Sequence, residues 1–334
     1  MSVGPVVLLA FTDRGQCLAE TLADALHGQA ARCGRPLSLS QWTAEHFSRA
    51  GALVYVGAVG IAVRAIAPYV KSKVSDPAVV VVDESGRWAI PLLSGHLGGA
   101  NDLARRIAGI CGAAAVITTA TDIRGAFAVD EWAKRQNCVV LQPHKIKEVS
   151  AAVLAGRTVG VNSDFPVSGK PPRCVRVADD QTCDLRLSIR RQDRDVLQLV
   201  PRIGVLGIGC RKGITPEALE TALAQMLARA GICEQAIVAA ASIDLKKEES
   251  GLLRFCASHG WPLRTYSAKE LAAVQGRFST SAFVQQVTGV DNVCERSAVL
   301  ESGGTLYSKK NAGNGVTMAL ALQPYAPDWR WQDE

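Results

Sequence analysis

No apolar run in the 334-residue sequence reaches the roughly 18–20 residues that a membrane-spanning helix needs. The longest apolar stretches, near residues 79–82 and 113–120, have the length of single strands. The N-terminal segment has no basic region before its apolar residues, and Asp13 and Arg14 follow soon after. We therefore exclude a transmembrane protein and expect a cytoplasmic one without a secretory signal.

The sequence also lacks several patterns that mark metal and nucleophile sites. Its ten cysteines include no Cys-x-x-Cys pair, which is inconsistent with a zinc ribbon or a thioredoxin-like site. Most of them lie in apolar segments, so we expect buried, reduced thiols that act as small hydrophobic side chains. No His-Glu-x-x-His, Gly-x-Ser-x-Gly or haem-attachment pattern occurs, which disfavours metalloproteases and α/β-hydrolases.

Charge and aromatic content limit the kinds of partner. The chain has 37 lysines and arginines against 31 acidic residues, and the resulting net charge of +6 suits an anionic ligand. Aromatic residues make up 5% of the chain, the basic residues are dispersed, and no nucleic-acid-binding motif is present. We therefore expect a small polyanionic ligand and neither nucleic acid nor membrane as a partner.

Short β-branched runs alternate with helical patterns, which is typical of α/β folds with mainly parallel sheets. We predict an N-terminal α/β domain over residues 1–130, a less regular middle segment over 131–200, and a C-terminal α/β domain over 201–334. The predicted elements include strands at 6–11, 52–56, 78–82, 88–93, 114–119, 203–208, 236–241, 263–267 and 315–322, a helix over 16–26, and a helix that begins at Pro216 with Thr215 as its N-cap.

The strongest chemical signal is the segment Ser94-Gly95-His96-Leu97-Gly98-Gly99, between a predicted strand and a predicted helix. Such a turn exposes backbone N–H groups, and with the helix dipole these favour an anion or a developing oxyanion. His96 is the nearby side chain whose chemistry suits general acid–base catalysis near neutral pH. The alternative is a tight turn that His96 merely caps, and the spacing favours neither.

Two further glycine-bearing turns follow predicted strands. Gly57-Ala58-Val59-Gly60 resembles half of a dinucleotide fingerprint, but Val63 takes the place of the third glycine, so a nucleotide is a weak candidate. A turn that lets a flat or anionic ligand approach the backbone is the better interpretation, with Arg64, Lys71 and Lys73 as cations downstream or as ordinary surface charges. The segment 207–213 repeats this pattern without the P-loop spacing.

Hydroxyl and charged residues supply the remaining candidates. The segment 118–122 ends a predicted strand, where parallel sheets collect ligands, although β-propensity and an Asx turn explain it equally well. Lys246 and Glu249 stand three residues apart at a predicted helix start, and Glu295-Arg296 opens another helix. Exposed ion pairs are the simpler explanation for these charges.

Together these segments resemble the cobalt-precorrin-5A hydrolase (CbiG) family of the oxygen-independent cobalamin pathway. The resemblance spans nearly the whole chain and is weakest in the middle. Arg296-Ser297 stand where the family pattern leads us to expect small alanines. The matching segments are residues 57–64, 76–80, 91–101, 116–122, 207–213, 244–252 and 293–295, and Lys309 or Lys310 before 315–317.

The resemblance implies a reaction. Water opens the δ-lactone of cobalt-precorrin-5A, the C20 carbon and its methyl group leave as acetaldehyde, and cobalt-precorrin-5B remains. The implied substrate is an anionic cobalt corrinoid, so the cobalt arrives with the substrate and the protein needs no cofactor of its own. Neighbouring corrinoid methyltransferases are the implied protein partners. The alternative is a non-catalytic corrinoid carrier or scaffold, and a nucleotide-dependent enzyme is a third, disfavoured class.

The resemblance also suggests a role for each candidate residue. We expect His96 to act as the base, the amides of Gly95, Gly98 and Gly99 to stabilise the oxyanion, and Lys246, Glu249 or Glu295 to serve as proton partners. The expected substrate-binding residues are Gly57, Gly60, Arg64, Ser94, Gly95, Gly98, Gly99, Asn101, Thr118, Thr119, Thr121, Asp122, Gly209 and Arg211.

Overall fold

A computed structural model of the chain describes residues 4–34, 36–72, 75–96, 98–119 and 125–331. It confirms the α/β fold with mainly parallel sheets, and the chain divides into two compact units. The first unit is Met1–Glu131 with Val153–Gly156, and the second is Trp132–Ala152 with Arg157–Glu334. Among the residues described, the structure contains no helix with the length and apolar character of a membrane span.

The first unit is built on a six-stranded sheet in the order β2-β1-β3-β4-β5-β6. Helices α1 to α4 connect the strands, and α5 begins at the end of the unit. The strands are β1 (Val6–Ala10), β2 (Gln29–Arg32), β3 (Ala52–Val56), β4 (Ala78–Val82), β5 (Trp88–Leu93) and β6 (Ala114–Ala115). The helices are α1 (Asp13–Leu26), α2 (Leu39–His46), α3 (Val59–Ile66), α4 (Ala100–Cys111) and α5 (Val129–Arg135).

The direction of β5 determines which loops share an edge of this sheet. β1, β3 and β4 run parallel to one another, whereas β4 and β5 form an antiparallel hairpin with Val79 opposite Leu93. β6 runs parallel to β5. The segments that follow β5 and β6 therefore lie at one edge, which we name the Ser94 edge. The segments that follow β1, β3 and β4 lie at the opposite edge, which we name the Gly57 edge.

Local chemistry explains where the first elements begin. The predicted strand over 52–56 and the predicted hairpin strands over 78–82 and 88–93 are confirmed. The first helix begins at Asp13, three residues before the prediction, because the side chain of Thr12 accepts a hydrogen bond from the Gly15 amide at 3.0 Å and so caps the helix. The predicted strand over 114–119 is shorter, since pairing with β5 is limited to Ala114–Ala115.

The second unit contains two five-stranded sheets. The middle of the chain, predicted to be less regular, forms a sheet of mostly short strands in the order β7-β11-β10-β8-β9. The C-terminal part forms the order β14-β13-β12-β16-β15. The strands are β7 (Cys138–Val140), β8 (Val159–Ser163), β9 (Val175–Val177), β10 (Leu185–Leu187), β11 (Leu197–Pro201), β12 (Gly204–Cys210), β13 (Ile237–Ile243), β14 (Leu263–Tyr266), β15 (Thr305–Gly313) and β16 (Val316–Leu322).

Six further α-helices lie in the part of the chain that the structure describes. They are α6 (Ile146–Leu154), α7 (Pro216–Ala230), α8 (Ser250–Ser258), α9 (Ala268–Ala273), α10 (Ala282–Thr288) and α11 (Cys294–Ser302). α7 begins as predicted, with the Thr215 hydroxyl accepting from the Ala218 amide and Pro216 in the first turn. Its side chains Leu219, Leu223, Met226 and Leu227 are buried in the core of this unit.

All ten cysteines are free thiols. Cys17 is exposed, and the other nine are buried or half-buried, as most were predicted to be. Burial raises the pKa of Cys256 to about 12 and that of Cys294 to about 11, so these two thiols stay protonated at neutral pH. Their contribution is therefore to packing.

Candidate active site

The turn that follows β5 is held in a demanding backbone conformation. Ser94 adopts a positive φ of 57°, which is uncommon for a residue with a side chain. Its hydroxyl is buried and donates a hydrogen bond to the carbonyl of Asp76 at 2.9 Å. The Asp76 carboxylate in turn accepts from the amides of Lys71 and Ser72. Ser94 therefore positions the turn, since its hydroxyl is already bonded to the protein.

Carbonyl groups of the same turn cap the helix α4. The Gly99 amide donates to the His96 carbonyl at 2.9 Å, and the amides of Ala100 and Asn101 donate to the carbonyls of Ser94 and Gly95. Gly99 was expected to be an oxyanion donor, and this internal bond corrects that expectation. For the amides of Gly95 and Gly98, by contrast, the structure shows no acceptor among the residues it describes.

The glycines of this turn are required by close packing. A Cβ atom on Gly95 would lie 2.9 Å from Oδ1 of Asn101, and one on Gly98 would lie 2.3 Å from Cβ of Ser94. Both distances are too short for real side chains. The tight-turn interpretation and the anion-binding interpretation are therefore compatible, because the same absence of side chains produces both.

His96 lies between two carboxylates of α5. Its Nδ1 is 3.2 Å and 3.3 Å from the two carboxylate oxygens of Asp130, and its Nε2 is 3.6 Å from Oε1 of Glu131. The His96 side chain is 12% exposed, so the imidazole is largely shielded from water. A carboxylate on Nδ1 fixes the ring orientation and favours the tautomer that protonates this nitrogen. The side chain of His96 thus connects the turn to α5.

Asp130 and Glu131 were missed by the sequence analysis. A usable signal was present, because these are two adjacent acidic residues inside an otherwise apolar segment. Both are buried, and they are flanked by fully buried apolar side chains: Phe127, Ala128, Val129, Trp132 and Ala133. A buried carboxylate needs a charged partner or hydrogen bonds to offset its desolvation, and such groups are therefore concentrated at functional sites.

Other predicted binding residues extend the Ser94 edge. The side-chain amide of Asn101 donates to Oγ1 of Thr119 at 3.1 Å, which links the start of α4 to the segment after β6. Thr118 is exposed beside it. Thr121 and Asp122, like Lys73, lie outside the described residues. The structure thus places Ser94, Asn101 and Thr119 at one edge of the sheet.

The predicted binding residues Gly57, Gly60 and Arg64 lie elsewhere. They follow β3 and belong to the Gly57 edge, whereas His96 follows the antiparallel β5. The five residues of β3 separate the two edges by about 13 Å. A Cβ on Gly57 would meet the Phe11 ring at 2.7 Å, and the Arg64 guanidinium donates to the Gly60 carbonyl. The expectation of one site containing these residues and His96 is therefore corrected.

In the second unit, several predicted residues gather at the carboxyl ends of β12 and β13. Lys246 Nζ lies 3.4 Å from Oε2 of Glu249, and Oε1 of Glu249 accepts from the Gly213 amide at 3.0 Å. Both side chains are mostly shielded from solvent. Burial raises the pKa of the adjacent Cys210 to about 11, an effect that Lys246 opposes and Glu249 reinforces. This is a partly buried ion pair beside a neutral thiol.

Gly209 and Arg211 also lie on this segment, but packing explains Gly209. A Cβ on Gly209, which is paired in β12, would lie 2.5 Å from Oγ1 of Thr317. Arg211 is exposed, its amide donates to the Gly315 carbonyl, and its aliphatic stem covers Gly315 in the turn between β15 and β16. Arg211 thus remains available for a ligand, whereas Gly209 allows two strands to approach.

Glu295 is fully buried at the start of α11. Its carboxylate accepts from the amide and hydroxyl of Ser279 at 2.7 Å and 2.8 Å, and from the Lys310 amide at 2.7 Å. It joins the segment before α10, the helix α11 and the strand β15. The expectation that Glu295 transfers protons receives no geometric support, because its hydrogen bonds belong to the scaffold.

Arg296, which departs from the family pattern, has a structural explanation. Its Nε donates to Asp291 at 2.8 Å, and Nη1 donates to the carbonyls of Leu271 and Val274. Its guanidinium also lies 4.7 Å from the centre of the Phe278 ring. The arginine therefore clamps the segment between α9 and α10, which alanine does not do.

We expect the variant Glu295→Gln to lower the free energy of unfolding by about 2 kcal/mol, because the amide nitrogen of glutamine faces a backbone donor and leaves it unbonded. Urea unfolding measures this change. The matched control is Glu248→Gln, since Glu248 is 88% exposed and its loss should change the stability by less than about 0.5 kcal/mol. Equal unfolding midpoints for the two variants contradict the anchoring role.

Comparison with known families finds three matching regions along the chain. The family described as Cobalamin synthesis G N-terminal matches residues 41–122, Cobalamin biosynthesis central region matches 127–224, and Cobalamin synthesis G C-terminus matches 204–321. These three regions define a cobalamin-synthesis protein of the G class.

Individual relatives within this class are cobalt-precorrin-5A hydrolases. The chain is 37% identical to the cobalt-precorrin-5A hydrolase of Salmonella typhimurium over 83% of both chains. It is 32% identical to that of Priestia megaterium over 82% of this chain and 79% of the relative. A crystal structure of a cobalamin biosynthesis protein G homolog from Sulfolobus solfataricus matches at 22% identity with a TM-score of 0.41, covering 96% of this chain and 97% of the other. The chain belongs to the cobalt-precorrin-5A hydrolase (CbiG) family.

Proposed function

We propose that this chain hydrolyses the δ-lactone of cobalt-precorrin-5A and releases acetaldehyde to give cobalt-precorrin-5B. The observation that carries the proposal is the placement of His96, an imidazole beside two carboxylates in a turn whose Gly95 and Gly98 amides are open to an anion. The names of the relatives support the same reaction.

Lactone opening needs an activated water and a site for a developing negative charge. His96 takes a proton from water as the water oxygen bonds to the acyl carbon. The Gly95 and Gly98 amides, at the start of α4, are the donors for the acyl oxyanion. The bond between the acyl carbon and the C20 oxygen then breaks, which leaves a carboxyl group and an oxygen anion on C20.

Acetaldehyde release follows from that anion. Its electron pair forms the carbonyl of acetaldehyde, the bond from C20 to the macrocycle breaks, and the macrocycle carbon receives the electron pair. Protonated His96 returns its proton to this carbon. Overall, one water is consumed and one acetaldehyde is released, and a carbon–carbon bond is cleaved. Proton transfer by Lys246 or Glu249 stays a prediction of the sequence analysis.

The substrate accounts for the charge of the chain. A corrinoid at this stage carries several acetate and propionate groups, and the net charge of +6 favours such a polyanion. Asn101, Thr118 and Thr119 at the Ser94 edge are the proposed polar contacts, and a ligand role for Arg211 stays a prediction of the sequence analysis. We propose that the cobalt arrives in the substrate, that the protein holds no cofactor of its own, and that neighbouring corrinoid methyltransferases are its protein partners.

The direct test is anaerobic incubation of the purified protein with cobalt-precorrin-5A. Acetaldehyde is followed with a coupled dehydrogenase, and the corrinoid mass is followed by mass spectrometry. We expect one acetaldehyde for each lactone lost. A corrinoid that binds and stays intact contradicts the proposal and supports the alternative of a carrier or scaffold.

A further inference from the structure

We propose that Glu131 is a second proton-transfer residue of the His96 site and that Asp130 is a positioning residue that orients the imidazole. This inference rests on the proposed function, because it divides the proton transfers of that reaction between two side chains. The sequence analysis assigned neither carboxylate to the site, and the structure brings both to the ring.

The start of α5 brings consecutive residues to different nitrogens of one imidazole. Successive side chains on a helix diverge by about 100°, so Asp130 reaches Nδ1 while Glu131 faces Nε2. Oδ1 of Asp130 also accepts a hydrogen bond from the Glu131 amide at 3.2 Å, which fixes the Asp130 carboxylate. Asp130 therefore holds the ring in place, and Glu131 stands on the side where Nε2 reacts.

Asp130 and Glu131 lie among buried apolar side chains, where an ionised carboxylate has an unfavourable desolvation free energy. Asp130 is 6% and Glu131 8% exposed, and the neighbouring residues 127–129 are at most 1% exposed. Desolvation of an ionised carboxylate costs several kcal/mol unless charge or hydrogen bonding compensates it. A fold that keeps both groups here beside a histidine fits a catalytic arrangement, since burial of this kind is typical of active sites.

The gap between Nε2 and Glu131 has the size for one water oxygen. The two atoms are 3.6 Å apart, beyond a good direct hydrogen bond. An oxygen placed about 2.8 Å from each atom completes a triangle with ordinary hydrogen-bond lengths. The attacking water, held in this way, donates one hydrogen to Nε2 and the other to the Glu131 carboxylate.

This arrangement assigns both protons of the water. The first goes to His96 as the water oxygen bonds to the acyl carbon, and His96 later gives it to the macrocycle carbon. Glu131 takes the second as the tetrahedral intermediate collapses and the acyl–oxygen bond breaks, so the new carboxyl group leaves as a carboxylate. Glu131 then releases that proton to solvent. The sum is substrate and water giving a carboxylate product, acetaldehyde and one proton.

The test compares variants in the acetaldehyde assay with the full-length chain. We expect Glu131→Gln to lower kcat at least about 100-fold with little change in KM, because glutamine holds the water but accepts no proton. We expect Asp130→Asn to lower kcat about 100-fold through loss of ring orientation. The control is Glu84→Gln, which removes an exposed carboxylate at the Gly57 edge and should leave turnover unchanged.

Chemical rescue separates catalysis from folding. Added formate should restore turnover to Glu131→Ala in a saturable way, whereas chloride at the same ionic strength should not. Wild-type turnover with an unaffected Glu131→Gln variant overturns this inference and leaves the proposed function standing. Loss of turnover without formate rescue assigns Glu131 a structural role and also overturns it. Absence of acetaldehyde from the wild-type protein refutes the proposed function itself.

Discussion

Replacement of His96 by alanine should lower the rate of acetaldehyde release by about 10²–10⁴-fold, the usual contribution of a positioned general base. The imidazole is the group that both takes and returns a proton in the proposed reaction. Alanine also leaves the Asp130 and Glu131 carboxylates facing each other without the ring between them. Corrinoid binding should change little, because we propose that the carboxylate arms of the substrate contact other residues. Steady-state kinetics and a corrinoid binding titration measure the two effects separately.

A folded control is needed for this result. Ser94→Ala removes only the hydroxyl that holds the Asp76 carbonyl, so it should weaken the turn without removing a reacting group. We expect it to lower turnover much less than His96→Ala does. Undiminished turnover in His96→Ala removes the histidine from the mechanism and directs attention to Glu131 alone.

The second large effect is on stability. Gly207 lies in β12 where the helix α11 crosses it, and a Cβ added there would lie 1.8 Å from the carbonyl oxygen of Cys294. The nearest atoms belong to the backbone of Cys294 in α11, so no side-chain movement relieves the clash. We therefore expect Gly207→Ala to lower the free energy of unfolding by about 4 kcal/mol or more, in the range reserved for severe packing defects. Urea unfolding followed by circular dichroism measures it.

The matched control is another glycine to alanine change in the first unit. Gly109 lies inside α4 with no atom within 4 Å of its added Cβ, so Gly109→Ala should raise the helix stability by about 0.5–1 kcal/mol. The opposite signs of the two changes distinguish a steric effect from a general effect of alanine. A Gly207→Ala protein with the unfolding midpoint of the wild type contradicts the close approach of α11 to β12.

Much of the fold follows from sequence periodicity. The strands β3 and β4 are continuous apolar runs buried on both faces, and such runs are easy to identify. Thr215-Pro216 predicts the start of α7 because each residue has a specific preference at that position. Strands such as β9 and β15 escaped prediction since their exposed residues interrupt the apolar pattern.

The candidate site was only partly predictable for a topological reason. The glycine and hydroxyl content of the Ser94 turn identified His96, but no local pattern reports which edge of a sheet a turn occupies. The hairpin of β4 and β5 was predicted. That Gly57 and Arg64 lie at the opposite edge from His96 depends on the direction of all the strands in the sheet. Asp130 reaches His96 across 34 residues, a contact that depends on tertiary packing.

The reversal at β5 also provides a practical means of labelling the protein. Cys17 is the exposed cysteine, and it stands in the first turns of α1, which begins at the Gly57 edge. A thiol-reactive fluorophore on Cys17 is therefore attached near the Gly57 edge, whereas His96 lies at the opposite Ser94 edge. Such a label reports on the first unit during turnover without occupying the Ser94 edge.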